Sequence, residues 1–158
     1  MRWALLSLFA CFLSLGSAFA DSLAPREGWQ IMPTTHAYQD LVDRVKTAVK
    51  AEGMLLVTQA SASAGAKGRG LKIPGNRIIG VYRNDYAIRM LEASIAAGIE
   101  APVRFYVTEN KDQTATLSWK TPSFVFAPYM AEGGEALSEL AQELDGVFQT
   151  IAAKAVAN

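Results

Sequence analysis

A glycine-rich stretch that carries four basic side chains is the best candidate in this sequence for chemistry. It contains Lys67, Arg69, Lys72 and Arg77, interleaved with glycines at positions 65, 68, 70 and 75. Exposed backbone amides together with cations bind anions such as phosphate or carboxylate. The stretch lacks the Gly-Lys-Ser/Thr sequence that opens a helix in a Walker loop. We therefore predict either an anion-binding loop or a solvated surface loop at residues 65–77.

A set of aromatic side chains accompanies the strands expected in the second half of the chain. Large aromatic side chains dominate the energetics of cores and interfaces, whereas a small apolar ligand needs an apolar concavity with few polar groups. We interpret the set as core or subunit-interface residues, with an apolar ligand groove as the alternative. Its members are Tyr82, Tyr86, Tyr106, Phe124 and Phe126.

Histidine and cysteine are too scarce for the common catalytic and metal-binding arrangements. His36 is the one histidine, and the one cysteine, Cys11, lies in the N-terminal apolar segment. A zinc or copper site needs several such ligands, and the serines lack the Gly-x-Ser-x-Gly context of a hydrolase nucleophile. The carboxylates show no spacing typical of a catalytic pair. We predict no catalytic residues, no metal and no cofactor, and we place His36 at solvent in the first turn of a helix.

The N-terminus has the pattern of a cleaved secretory signal. A basic residue, Arg2, precedes an apolar run, and the small residues Ala18 and Ala20 stand just before the polar Asp21. The run is well short of the ~20 residues that a spanning helix needs. We expect cleavage after Ala20 and a periplasmic or secreted protein that has no membrane contact after processing. The alternative is a lipoprotein anchored at Cys11.

Chain length and net charge further restrict the number of domains and the classes of partner. Removing 20 residues from the chain of 158 leaves enough for one domain with a single core. The full chain has 15 basic and 15 acidic side chains, and Arg2 lies in the signal. A near-neutral protein without a polybasic segment has no general electrostatic attraction to nucleic acid or to an anionic membrane. We therefore expect neither as a partner.

The spacing of apolar side chains predicts the elements that position these residues. We predict strands at 29–32, 54–58 and 77–83, helices at 36–52, 84–97 and 135–155, and a loop at 59–75 with one helical turn near 60–66. Pro33 is expected to end the first strand, and Thr34 or Thr35 to cap the first helix. The 54–58 strand is expected to be buried. The second helix is expected to bury an apolar stripe of Ala87, Met90, Leu91 and Ile95.

The clearest local signal is a hairpin between residues 103 and 119. Apolar and polar side chains alternate on both sides of the polar turn at 110–113. We predict that Trp119 is buried on the same face as Leu117. The opposite, outward face is expected to carry Arg104, Tyr106, Thr116 and Ser118. Strands joined by a hairpin, with helices at the segment ends, indicate a single α+β domain with a largely antiparallel sheet.

This order of elements resembles the family called "domain of unknown function 302". The resemblance rests on the segments 83–91, 101–109 and 115–123, which read RNDYAIRML, APVRFYVTE and ATLSWKTPS. It covers the domain at residues 35–155, after a leader and possible first strand at 21–34. It implies a curved antiparallel sheet with packed helices, similar to the TATA-binding-protein-like architecture, and a homodimer. Many relatives carry an Asp-His pair after the second strand, where this chain reads TQAS at 58–61.

These observations favour a non-enzymatic module that binds a small ligand or a partner protein. The alternative is an enzyme that holds an anionic substrate on the basic loop at 65–77. The enzyme requires the four cations to converge on one pocket with a carboxylate or a tyrosine. The binding module requires only an apolar groove or a flat patch.

Overall fold

Five antiparallel strands form one open sheet in the computed structural model, which describes residues 23–157. The strands are β1 (Trp29–Ala37), β2 (Leu55–Ala60), β3 (Asn76–Tyr82), β4 (Val103–Glu109) and β5 (Thr114–Lys120). Their order across the sheet is β1-β5-β4-β3-β2, so that β1 and β2 are the two edges. The α+β class and the antiparallel sheet are confirmed. The predicted signal at residues 1–20, with Cys11, lies outside the described residues.

Five helices complete the domain. They are α1 (Tyr38–Ala51), α2 (Ala62–Gly68), α3 (Asn84–Ala93), α4 (Pro122–Phe126) and α5 (Met130–Val156), with 3₁₀ turns at Ala96–Glu100 and Ala127–Tyr129. The apolar stripes of α1 and α5 supply much of the core, as their spacing predicts. No helix within residues 23–157 has the length and apolarity that crossing a membrane would demand.

The predicted hairpin forms from β4 and β5 and lies at the centre of the core. Phe105 pairs with Trp119 across the two strands, and their rings meet edge to face with centroids 5.6 Å apart. The Phe105 ring also stacks on Phe148 of α5, at 4.5 Å. Trp119 is buried, as expected from its position beside Leu117. This aromatic cluster joins the sheet to the longest helix.

The N-terminal part of α5 contains a break at Gly134. Its backbone has φ 56° and ψ −147°, which lies outside the helical region. Glycine adopts such positive φ values at little cost, whereas a side chain would be strained there. The regular helix therefore starts after Gly134, where the predicted helix begins.

Two predictions about β1 are wrong. The strand continues through Pro33, because β1 is an edge strand and proline is tolerated where only one side of the ladder is used. Helix α1 then begins after Ala37 without a side-chain cap. The Thr34 hydroxyl instead donates a hydrogen bond to the Ala115 carbonyl, at 2.7 Å. His36 consequently lies in β1 and not in the first helical turn.

The prediction that the second strand is buried is also wrong. β2 is the other edge strand, flanked only by β3. Leu55 and Val57 are exposed, and Leu56 is half-buried against the core. A run of apolar residues does not reveal whether its strand lies at the edge or the centre of a sheet.

The predicted buried stripe of α3 is only half correct. Ala87 and Met90 are buried, but Leu91 is exposed and Ile95 is 81% exposed. The helix ends early because Ser94 adopts an extended conformation, which turns the chain away from the core. We call the resulting exposed apolar surface the isoleucine stripe. It consists of Ile88, Leu91, Ile95 and Ile99.

The face of the sheet opposite Trp119 is less open than predicted. Thr116 and Ser118 lie on that face, but both are fully buried. The Thr116 hydroxyl donates to the Asn110 amide oxygen at 3.0 Å, and Ser118 donates to the Tyr106 carbonyl at 3.4 Å. β5 lies between β1 and β4, and Ser118 is paired with Ile31 on one side and Tyr106 on the other. An outward direction in this inner strand does not bring the two short side chains to solvent.

Candidate functional site

A cavity of about 630 Å³ lies between the start of α1, helix α2 with its following loop, and the start of β3. Its lining mixes cations, polar groups and apolar side chains. Three of the four basic residues singled out from the sequence line it, and the fourth, Arg69, does not. The lining includes Tyr38, Lys67, Leu71, Lys72, Ile73, Arg77 and Glu109.

The loop that carries the lysines is held at its base by Asn76. The Asn76 side chain accepts a hydrogen bond from the Ala62 amide at 2.8 Å, and the Asn76 amide donates to the Ser63 hydroxyl at 3.2 Å. The Ser61 hydroxyl caps α2 by accepting from the Ala64 amide at 3.1 Å. These contacts bring the two ends of the segment together, so that α2 and the loop form one wall of the cavity.

Gly75 allows an aromatic ring and a carboxylate to meet at the base of the cavity. A β-carbon at Gly75 would lie 2.7 Å from Cδ1 of Tyr38, so a larger residue would displace the ring. The Gly75 amide donates to Oε2 of Glu109 at 2.6 Å, and the Glu109 amide donates to the Gly75 carbonyl at 2.8 Å. This pair of hydrogen bonds fixes the Glu109 carboxylate at Gly75, the residue against which the Tyr38 ring lies.

The cations of the cavity form no ion pair in the described part of the chain. Within residues 23–157, the side chains of Lys67 and Lys72 have neither a hydrogen bond nor an ion pair. Arg77 Nη1 reaches only the Gln59 amide oxygen, at 3.5 Å. Glu109 is the one carboxylate among the lining residues. The cavity therefore carries an excess of positive charge.

Two buried polar atoms at the cavity have no partner. They are the hydroxyl oxygen of Tyr38 and Nε of Arg77. Leaving a buried donor unsatisfied costs about 1–3 kcal/mol, and such groups are few in native proteins. Both atoms belong to residues that line the cavity.

The arrangement suits anion binding better than nucleophilic catalysis. Ser61 and Ser63 lie 2.9 Å apart, oxygen to oxygen, and are already used in holding the loop. His36 does not line the cavity. Its Nδ1 lies 3.3 Å from the Asp40 carboxylate, and its Nε2 lies 3.2 Å from the Ala157 carbonyl. No cluster of potential metal ligands occurs in the part of the chain that the structure describes.

Sequence reasoning missed the two residues that complete the cavity. Tyr38 falls in the apolar spacing of the first helix, and Glu109 is one of several scattered carboxylates. Their approach to Arg77 depends on the pairing of β3 with β4, in which Arg77 lies opposite Val107. No local spacing in the sequence indicates that contact.

The aromatic set does not form one groove. Tyr86 and Phe126 are buried and, with Tyr82, line a small cavity of about 30 Å³. Tyr106 lies on the opposite face of the sheet, in a different concavity. Phe124 is partly exposed, and its ring lies against Gly28. The five aromatic residues lie in separate parts of the domain and therefore do not form a single apolar groove.

Tyr86 has an electrostatic neighbour that fixes the start of α3. The Arg83 guanidinium stacks over its ring at 4.0 Å and donates two hydrogen bonds to Asp85, at 2.7 and 3.0 Å. The Arg83 guanidinium lowers the pKa of the Asp85 carboxyl below its ordinary value. Both partners are largely solvated, so this contact has a structural role at the surface.

Comparison with known proteins agrees with the fold. The crystal structure of an uncharacterized conserved protein DUF302 from Bacillus stearothermophilus superposes with a TM-score of 0.68, at 18% sequence identity. The match covers 83% of this chain and 97% of that one. No curated protein matches this chain in sequence. At this identity the likeness concerns the fold alone.

The sequence profile of the family described as "Domain of unknown function DUF302" matches residues 30–153. The match spans the sheet from β1 to β5 and continues into the last helix. It includes the basic loop, the aromatic set and all three segments on which the resemblance is based. The chain belongs to the DUF302 family.

Proposed function

We propose that this protein is a secreted or periplasmic binding module that holds a small anionic ligand in the cavity beneath the basic loop. The observation that carries the proposal is a cavity lined by Lys67 and Lys72, which form no ion pair within residues 23–157. Tyr38 and Arg77 also line it, and each has a buried polar atom without a hydrogen bond in the described part of the chain. Hydrogen bonds to charged groups are worth about 1.5–3 kcal/mol each. An anion in the cavity gains from such bonds to Lys67 and Lys72.

The first experiment identifies what the protein carries. Native mass spectrometry of protein purified from its own host reports bound ligand and oligomeric state together. The N-terminal residue of the same sample tests secretion, with Asp21 expected and a lipidated Cys11 as the contrary result. A co-purified anion would support the proposal.

Titration calorimetry then locates the site with defined probes, inorganic phosphate and succinate. We expect at least one probe to bind. Lys67→Gln and Lys72→Gln should each weaken binding by about tenfold, because each removes one charge-assisted contact. Arg69→Gln is the matched control, since Arg69 has the same charge in the same loop but does not line the cavity. Equal affinities in all three variants would contradict the proposal, as would no binding of either probe.

An enzyme that acts on an anionic substrate is the second candidate. Three of the four cations that this candidate requires lie in one cavity with a tyrosine and a carboxylate, and Arg69 lies outside it. The Glu109 carboxylate, however, is already engaged by the Gly75 amide. Mass spectrometry of the recovered ligand after incubation separates the two candidates. Unchanged ligand favours the binding module, whereas a product whose formation depends on Tyr38 and Glu109 favours the enzyme.

We also propose that the module is a homodimer formed through the isoleucine stripe. Ile95 is 81% exposed and Ile99 is 79% exposed, and both follow α3, on which Ile88 and Leu91 are also exposed. Leu91 lies close to the backbone of Gly98, so the helix and the following 3₁₀ turn form one surface. Exposed apolar patches of this kind are typical of protein interfaces.

A further inference from the structure

A second concavity lies on the opposite face of the sheet, away from the proposed anion cavity. It has a volume of about 360 Å³, and the two share no lining residue. The groove opens between the edge strand β1 and the centre of the sheet. Its side chains include Trp29, Ile78, Arg104, Tyr106, Lys120 and Val125. An inference drawn from this groove is independent of the proposed function.

Strand register places two cations side by side on the floor of the groove. Phe105 pairs with Trp119, so the preceding residue Arg104 lies beside Lys120 on the other face. Trp29 of β1 is in turn opposite Lys120. Like charges on adjacent positions of neighbouring strands destabilise a sheet. The fold therefore holds a repulsive pair at this place.

Among the described residues, no carboxylate is paired with either of these two cations. Within residues 23–157, the side chains of Arg104 and Lys120 form no hydrogen bond and no ion pair. The nearest compensation is the Trp29 ring, whose centroid lies 6.0 Å from Nζ of Lys120. No carboxylate is found among the residues that line the groove. An anionic group placed between the two cations would relieve their repulsion.

Aromatic and apolar side chains flank the cations. Tyr106 lies on the same face of β4 as Arg104, two residues further along, and Ile78 pairs with Tyr106 from β3. Trp29 stands at the other side, and Arg26 also approaches its ring, at 5.3 Å. A ligand that fills the groove thus needs a flat apolar part as well as a negative charge.

We propose that this groove binds a small aromatic carboxylate. The carboxylate lies between Arg104 and Lys120, and the ring lies against Trp29 and Tyr106. Arginine suits this role because its planar guanidinium forms two parallel hydrogen bonds to a carboxylate. The ring replaces water over apolar side chains that are otherwise left partly exposed.

Three probes test the proposal by titration calorimetry and ligand-observed NMR on protein purified from its own host. The probes are 2-naphthoate, its neutral analogue 2-naphthamide, and acetate. We expect naphthoate to bind and the amide to bind about tenfold more weakly, because it lacks the charge. Acetate, which lacks the ring, should give no measurable binding. Equal affinities for naphthoate and naphthamide would overturn the proposal.

Substitutions then test whether Arg104 and Lys120 bind the carboxylate of naphthoate. Arg104→Gln and Lys120→Gln should each weaken naphthoate binding by about tenfold, while Lys50→Gln, an exposed cation at the end of α1, should leave it unchanged. Without ligand, each groove variant should also melt at the same or a higher temperature than wild type in low salt, since one repulsive charge is gone. This second readout shows that the variants remain folded.

Two further outcomes would refute the inference. One is that Arg104→Gln or Lys120→Gln changes the oligomeric state, which would show that a second copy of the chain covers the groove. The other is that naphthoate binding is lost in Lys67→Gln and Lys72→Gln but kept in the groove variants. The ligand would then occupy the cavity beneath the basic loop, and the proposed function would survive while this inference fails.

Discussion

Trp119 and Ser118 are neighbours on β5 whose side chains point to opposite faces of the sheet, and both are buried. Their burial has different causes. The Trp119 ring packs against Phe105 in the main core. Ser118 lies on the other face between Ile31 and Tyr106 of the neighbouring strands, and its hydrogen bond to the Tyr106 carbonyl is long, at 3.4 Å. Trp119 and Ser118 are thus equally shielded from solvent but contribute very differently to the free energy of unfolding.

Trp119→Ala should lower the free energy of unfolding by about 3–5 kcal/mol, the usual cost of truncating a buried aromatic residue. Ser118→Ala should lower it by less than about 1 kcal/mol, because only one weak hydrogen bond is lost. Urea unfolding of both variants measures the two values. Similar effects from the two substitutions would contradict the assignment of the faces.

At the level of residues, the sequence predicts what depends on local alternation and misses what depends on the whole sheet. The burial of Trp119 follows from period-two spacing in one hairpin. The burial of Thr116 and Ser118 requires knowledge of β1, which pairs with β5 from far away in the chain. The presence of Tyr38 and Arg77 in one cavity likewise depends on how α1 packs against the sheet.

Among the elements, α5 contains both a break and a regular helix. Two of its glycines, one in each part, differ in whether they tolerate a side chain. Gly134 has a positive φ of 56°. Gly146 lies in the regular helix, and a β-carbon added there would meet nothing within 4 Å. A side chain is strained at the first position and tolerated at the second.

We expect Gly134→Ala to destabilise the protein by about 1–3 kcal/mol, the cost of a sparsely populated backbone conformation. Gly146→Ala should stabilise it by up to about 1 kcal/mol, because alanine favours the helix over glycine. Thermal unfolding of both variants provides the comparison. If Gly134→Ala also stabilised the protein, the helix would have to run unbroken through that position.

The boundaries of elements are predictable where a local signal ends them. The Gly133-Gly134 pair indicates the start of the regular helix, and the 110–113 turn indicates the hairpin. By the same reasoning Pro33 is an equally strong signal for the end of a strand. β1 nevertheless continues through it, because an edge strand tolerates the missing hydrogen-bond donor of proline. Whether a strand lies at the edge depends on the assembled sheet, so the residues of the strand itself do not reveal it.

For the molecule as a whole, the isoleucine stripe predicts how two copies associate. Ile95→Asp combined with Ile99→Asp should convert a dimer into a folded monomer, because charged groups would be buried without partners. Light scattering measures the mass and circular dichroism the fold. Leu55→Asp, at a similarly exposed apolar residue on β2, serves as the control and should leave the mass unchanged. A wild-type monomer, or a dimer that survives the double substitution, would disprove this interface.

The pairing of the first strand with the last one sets the order in which the sheet can assemble. Within the sheet, β1 hydrogen-bonds only to β5. The chain between them, residues 38–113, must therefore form a loop that brings the two strands together, and closing this loop costs conformational entropy. The β4–β5 hairpin, which is local, is expected to form earlier. Until β1 arrives, β5 has an open side to which a strand of another chain can add. Refolding at high concentration is therefore most vulnerable to aggregation just before the N-terminal strand docks.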